Sequence, residues 1–270
     1  MNFTETLAQI SPVAEQTIEL PEGWGQGRAL FGGFTAAIAW QAAHYGAASD
    51  QSLRAFTVSF VGPVAPGSVQ VIRRVLREGK SVTQIAVELV QEKEVVLSAL
   101  ASYGRDRDSK VQVEALPAPV IPSFNEGPGM PDLASVPSAL QQFIPEFTQH
   151  FDYRVNVGGL PFSGQKNREF GGWMRFSQEA EPITVGYLLG LVDAWPPALL
   201  PHLRQPAPAS SLTWTIEFIE PLPAKTSHDW WQYIAHIDHA GGGYGHTHAT
   251  IWDDRGRLVA LSRQTVTVFG

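Results

Sequence analysis

The chain has 270 residues, a net charge of −7 at pH 7, 44% apolar and 17% charged residues, and no cysteine. That length buries a full core in one large domain or in two of about 130 residues each, and the missing cysteine excludes disulfides, thiolate metal sites and cysteine nucleophiles. Met1 to Ser11 carries neither a basic nor an apolar leader region, which points to the cytoplasm; Val185 to Leu200 is broken by Asp193, Pro196 and Pro197, so no membrane span is expected; and scattered Arg and Lys on a negative chain argue against nucleic acid.

Val13 to Leu20 is expected as a strand, followed by the turn Gly23-Trp24-Gly25-Gln26-Gly27. Gly32 to Ala43 reads as a helix without a single charge, so it is wrapped by other elements rather than laid on a surface. Runs rich in Val, Ile, Phe and Thr predict strands at 53–63, 68–78, 81–91 and 95–104. Residues 106–145 contain Pro117, Pro119, Pro122, Pro128, Pro131 and Pro137 and read as a linker, with one short helix around Ala139 to Phe143. Strands then follow at 150–157 and 170–178, a helix at about 184–195, and strands at 210–220, 230–238, 245–253 and 257–268.

The second half repeats the first. Ala55-Phe56-Thr57-Val58-Ser59-Phe60-Val61-Gly62-Pro63 matches Thr213-Trp214-Thr215-Ile216-Glu217-Phe218-Ile219-Glu220-Pro221, and Val87 to Leu97 matches Ala249 to Val259. A repeat of this kind means two similar modules, placed at 1–105 and 146–270 around the linker at 106–145. One buried helix and an antiparallel run, twice over, resembles the double hotdog. This is an α+β fold in which two tandem modules form one large antiparallel sheet, of roughly ten to twelve strands, around two central helices.

Duplication supplies an internal comparison, because a position that turns polar in one module alone is a site candidate. Aligning Gly33-Phe34 with Gly186-Tyr187 sets Asp193 opposite Trp40. Asp193 is the only Asp, Glu, Lys or Arg between Ile183 and Leu203. A carboxylate on so apolar a helix is either a buried group poised to take a proton or a helix-end cap facing solvent. Extending the strand repeat sets Ser211 opposite Leu53, and extending the last strand sets Gln264 opposite Ser102. An acid, a hydroxyl and an amide form a set suited to one water: the acid takes its proton while the other two aim its lone pair.

Three segments carry a resemblance to the type II acyl-CoA thioesterases: Leu191-Val192-Asp193, the strand Ser211 to Pro221, and the hairpin strand Gly256 to Gln264. Phe31-Gly32-Gly33, entering the first helix, adds a fourth. The resemblance implies an acyl thioester hydrolase in which Asp193, Ser211 and Gln264 activate water, with Thr213 as the alternative hydroxyl. Backbone N–H groups at Gly32 and Gly33 are candidates for holding the oxyanion, and Trp40 or Trp195 for lining the acyl slot. No cofactor is implied, and by analogy with hotdog relatives a homodimer is expected.

Two other readings stay open. The chain could be a non-catalytic acyl-thioester or fatty-acyl binding protein on the same scaffold, or, more distantly, a hotdog hydratase on the strength of Asp152-Tyr153-Arg154 before Gly158-Gly159. His246 and His248 share one strand face, with His236 and His239 close in sequence, but no carboxylate or Cys sits at a familiar ligand spacing, so no metal is expected. Of Trp230-Trp231, alternation points one ring in and the other out.

Overall fold

The computed structural model describes residues 1–130, 141 and 144–269; the helix expected around Ala139 to Phe143 lies almost wholly outside these. The first half contains α1 (Phe3–Leu7), β1 (Glu15–Leu20), the short strands β2 (Gly25–Gln26) and β3 (Ala29–Leu30), α2 (Gly32–His44), and then β4 (Ser52–Phe60), β5 (Gly67–Glu78), β6 (Val82–Gln91) and β7 (Glu94–Gly104). The second half contains β8 (Phe151–Val157), β9 (Glu169–Phe176), α3 (Val185–Asp193), β10 (Ala209–Phe218), β11 (Trp231–Gly241), β12 (Tyr244–Asp253) and β13 (Leu258–Val268). Eleven strands form one antiparallel sheet in the order β1-β5-β6-β7-β4-β10-β13-β12-β11-β9-β8. β4 and β10 meet at its centre, and the sheet curls around α2 and α3, which pack against each other. This is a double hotdog.

The seam shows the duplication directly. Thr57, which the repeat equates with Thr215, pairs with Thr215 itself across the seam, and their hydroxyls lie 3.4 Å apart. Phe56 pairs with Ile216, and their repeat partners Trp214 and Val58 pair with each other. The two modules are therefore related by a pseudo-twofold axis through the Thr57–Thr215 pair. Even the irregularities repeat: a bulge at Arg54, between Leu53 and Ala55, has its counterpart at Leu212, between Ser211 and Thr213.

The pairing corrects one alignment. Trp214 sits opposite Gln264, whereas its equivalent Phe56 sits opposite Ala101. The counterpart of Gln264 is therefore Ala101, not Ser102, whose hydroxyl bonds Gln84 on β6. The cause is a hairpin one residue longer. Glu92 and Lys93, both at positive φ, make a two-residue turn in the first module. In the second, Asp254, Arg255 and Gly256 (φ 78°) form a three-residue turn closed by the Asp253 amide bonding the Arg257 carbonyl.

Strands alternate as half-buried antiparallel strands should. On β6, Thr83, Ile85, Val87 and Leu89 face the helices while Gln84 and Glu88 face away. Helix α2 is buried along nearly all its length, as its uncharged sequence requires. The five-residue α1 lays Phe3 into the core, against Trp24, Phe34, Phe176 and Tyr187. Trp231 faces inward and is fully buried. Trp230 faces outward, stacked under Phe124 and flanked by the Arg154 and Arg175 guanidiniums. Residues 119–124 run across this outer surface, the Pro119 and Pro122 carbonyls accepting from Gln232 and Trp173.

Candidate active site

The site forms where the C-terminal end of α3 lies beside the N-terminal end of α2. α3 starts at an N-cap, Thr184, whose hydroxyl accepts from the Tyr187 amide. It runs nine residues and ends on Asp193, just before Pro196 and Pro197. α2 starts without any side-chain cap; at the positive end of its dipole the Phe34 amide bonds the Phe31 carbonyl and the Gly33 amide is directed at Asp193, which leaves the Gly32 amide as the open donor among the described residues. Glycine makes the meeting close. A Cβ on Gly32 would lie 2.7 Å from Asp193 Oδ2, and one on Gly33 would lie 2.8 Å from the Leu189 carbonyl and 3.0 Å from Asp193 Cβ.

The pseudo-twofold relates this meeting to one at the other end of the helix pair, where Gly186 packs against the Trp40 ring. Asp193 and Trp40 are therefore equivalent positions, as the helix alignment has it. Between them lie seven residues of helix, roughly 10 Å at 1.5 Å per residue. Trp40 stacks on His44 and is not brought to the carboxylate.

Gln264 on β13 is brought to it. Its Nε2 donates to Asp193 Oδ1 at 2.7 Å. Burial pushes the Asp193 carboxyl up to about 7, while hydrogen bonds from Gln264 and the Gly33 amide pull the other way by favouring the charged form. Asp193 nonetheless keeps part of its surface accessible. A carboxylate that is deep, oriented and half-ionised near neutrality can exchange protons with a molecule entering beside it.

Register decides between the two hydroxyls. Ser211 pairs with Val266, which is 1% exposed, so Ser211 lies on the inner face with Gln264 and Trp214. The bulge at Leu212 turns Thr213 to the outer face, where it is exposed opposite Thr265. Ser211 makes no hydrogen bond to Asp193 among the described residues. Trp195 stacks on Tyr233 at 5.3 Å and meets Phe170 and Tyr153 edge-on. The Tyr153 hydroxyl donates to the Ala194 carbonyl at 3.0 Å. Together these rings wall the site behind Asp193.

Sequence reasoning missed two inward polar groups on neighbouring strands, Thr247 on β12 and Tyr233 on β11. Thr247 pairs directly with Gln264, and the Asp193 charge, added to burial, pushes the Tyr233 phenol well up. Their equivalents in the first module, found by following the ladders outward from the seam, are Ile85 and Val71.

The remaining candidates lie elsewhere. His236 pairs across strands with His248, and His239 with His246, all on the outer face. His248 bonds Asp238 at 2.9 Å and His236 lies 3.3 Å from Glu169. No three His, Asp or Glu side chains converge on a metal position among the described residues. Asp152 is tied to Arg175 at 2.8 Å on the outer side of β8.

Solved structures share this architecture. A hot dog fold protein of unknown function from Alicyclobacillus acidocaldarius superposes with a TM-score of 0.85 at 22% identity, covering 99% of this chain and 98% of that one. The tesB protein of Mycobacterium avium gives 0.74 at 15% identity over 99% and 98%, and an acyl-CoA thioesterase II from Mycobacterium marinum gives 0.65 at 21% over 89% of both. No curated protein matches the sequence. The model of the acyl-CoA thioesterase N-terminal domain matches residues 20–104 and that of the C-terminal domain matches residues 125–268. Covering most of the chain in the order its two modules take, they show that the protein belongs to the acyl-CoA thioesterase family.

Proposed function

We propose that the chain hydrolyses acyl-CoA thioesters by direct attack of one water, with Asp193 as general base. The observation that carries this reading is the Asp193 carboxylate, buried to an ionisation near 7, aimed by Gln264 and set against the open N-terminus of α2. Asp193 takes a proton from water as the water oxygen bonds to the thioester carbonyl carbon. Gln264 and Ser211 hold that water; Ser211 fills the hydroxyl role because Thr213 faces away. The Gly33 amide is directed at Asp193, which leaves the Gly32 amide for the developing oxyanion. As the tetrahedral adduct collapses, the C–S bond breaks and the proton on Asp193 passes to the departing thiolate. The products are a carboxylic acid and free CoA thiol. No covalent intermediate is needed. The ring of Trp195 supports an apolar wall for the acyl group, whereas Trp40, buried at the far end of the helix pair, would meet only a long chain.

Cytoplasmic work as a homodimer belongs to the same reading, as does a division of the chain at residues 105 and 146. The division is supported by residues 105–130, which contain neither strand nor helix.

The test is thiol release from acyl-CoAs of graded chain length, with wild type beside Asp193→Asn. General-base removal is expected to slow turnover roughly 10²–10⁴-fold while the folded state persists. Equal rates in the two proteins would refute the role of Asp193. Tight binding without release from wild type would favour the acyl-binding reading.

A further inference from the structure

We infer that the Thr247 and Tyr233 hydroxyls belong to this same site: Thr247 hydrogen-bonds the attacking water beside Gln264, and Tyr233 donates to the carbonyl of the bound acyl thioester. The inference rests on the proposed hydrolysis and extends it to two residues outside the Asp193, Ser211 and Gln264 set.

Three observations support it. The first is placement. Thr247 is the direct cross-strand neighbour of Gln264 on β12 and shares its face, which sets Cβ atoms about 5 Å apart. Tyr233 lies one strand further, on the same inner surface, with its ring stacked on Trp195 two residues beyond Asp193. The second is the state of the two hydroxyls. Each residue is only 6% exposed, and neither hydroxyl has a hydrogen-bond partner among the described residues. Neither oxygen is among the fully enclosed polar atoms that lack a partner, so each retains contact with open space. By contrast the neighbouring Tyr153 hydroxyl is already used by the Ala194 carbonyl. A hydroxyl this deep without a partner is a cost that a ligand or water removes.

The third observation is the comparison between modules. The equivalents of Thr247 and Tyr233 are Ile85 and Val71, 0% and 1% exposed and packed in the core. An aliphatic side chain therefore satisfies the fold at both positions, and packing does not demand the hydroxyls. With Asp193 for Trp40, Ser211 for Leu53, Gln264 for Ala101 and Ser262, whose hydroxyl already accepts from the Trp214 indole, for Ala99, this makes six inward positions that are polar in the second module and apolar in the first. Strand preference alone does not account for them. Thr and Tyr are good strand formers, but so are the Ile and Val that replace them.

The experiment uses full-length wild type, Thr247→Val, Thr247→Ser and Tyr233→Phe. Melting temperatures are taken alongside to confirm that each variant folds, as the aliphatic counterparts lead one to expect. Two activities are read: steady-state hydrolysis of an acyl-CoA that wild type cleaves, and calorimetric binding of the carba analogue in which CH₂ replaces sulfur and the carbonyl is kept. Thr247→Val is expected to lower kcat at least tenfold with KM within about twofold, and Thr247→Ser to restore kcat. Tyr233→Phe is expected to raise KM and weaken binding of the analogue at least fivefold. Values for both variants within twofold of wild type, with Asp193→Asn inactive, would overturn this inference and leave the hydrolase intact. A wild type inert on every thioester would overturn the hydrolase reading and the Thr247 role together, and analogue binding would still decide Tyr233.

Discussion

Asp193, the proposed base, has its folded-state ionisation raised from 3.8 to about 7, and two pH dependences follow with opposite sense. For catalysis the charged form is active, so kcat/KM should rise about tenfold per pH unit below 7 and level off above it. For stability the charged form is the penalised one. A carboxyl that holds its proton longer in the folded state than in the unfolded chain leaves stability intact below about pH 4. Stability is then lost between 4 and 7 and stays low above 7, by on the order of 4 kcal/mol. Asp193→Asn removes that loss. Its melting temperature should exceed that of wild type at pH 8 and approach it at pH 4; a variant less stable at pH 8 would contradict a desolvated carboxylate. Gln264→Leu acts on the same group from outside. Losing a donor to the charged form raises the Asp193 ionisation further, so the rising limb of the pH–rate profile should move to higher pH. Asp193 was legible in the sequence because a lone acid stands out on an apolar helix. Thr247 and Tyr233 were not, since polar strand residues are ordinary until the sheet shows which face they occupy. The signal existed in the repeat, in Ile85 against Thr247 and Val71 against Tyr233, but needed the register to be read.

At the scale of elements, the central contact depends on glycine at the start of α2, and its two glycines should fail differently. The methyl of Gly33→Ala would fall 2.8 Å from the Leu189 carbonyl, a backbone atom that can yield only if α3 shifts. Gly33→Ala should therefore cost stability, about 2 kcal/mol or more by urea unfolding. The methyl of Gly32→Ala meets only side chains, Asp193 Oδ2 and the Phe60 ring. It should unfold close to wild type yet lose most of its activity, because the carboxylate must turn aside. If both variants lost stability equally, the contrast would fail. The elements themselves were readable: the eleven strands of the large sheet fall within two or three residues of their expected limits, since inward and outward residues alternate cleanly, whereas the paired strands β2 and β3 stand in and just beyond the turn expected over Gly23 to Gly27, two residues being too few to show alternation. α1 escaped because five residues offer no periodicity, and its position depends on Phe3 finding a tertiary pocket. The one-residue error in aligning Gln264 came from a turn length, which hydrophobic pattern does not report.

The whole molecule ties both modules into one unfolding unit. β4 and β10 share a ladder from Ala55–Glu217 to Ser59–Thr213, and each central helix packs a side chain on a glycine of the other, Asp193 on Gly32 and Trp40 on Gly186. Separating the modules would bare a long strand edge on each side and the apolar contact between α2 and α3. Neither half can lose its structure without exposing the other, so heat should produce a single transition with equal calorimetric and van't Hoff enthalpies. Val58 tests the point. It is fully buried on β4, in register with Trp214 across the seam. Val58→Ala removes packing shared by both modules and should lower the one transition as a whole, on the order of 2 kcal/mol. A split into two transitions would show that the seam is a contact between independent domains. A common shift would show that the first module is structurally required: it supplies the Gly32–Gly33 end of α2 against which Asp193 is held, while the second module carries Asp193 and Gln264.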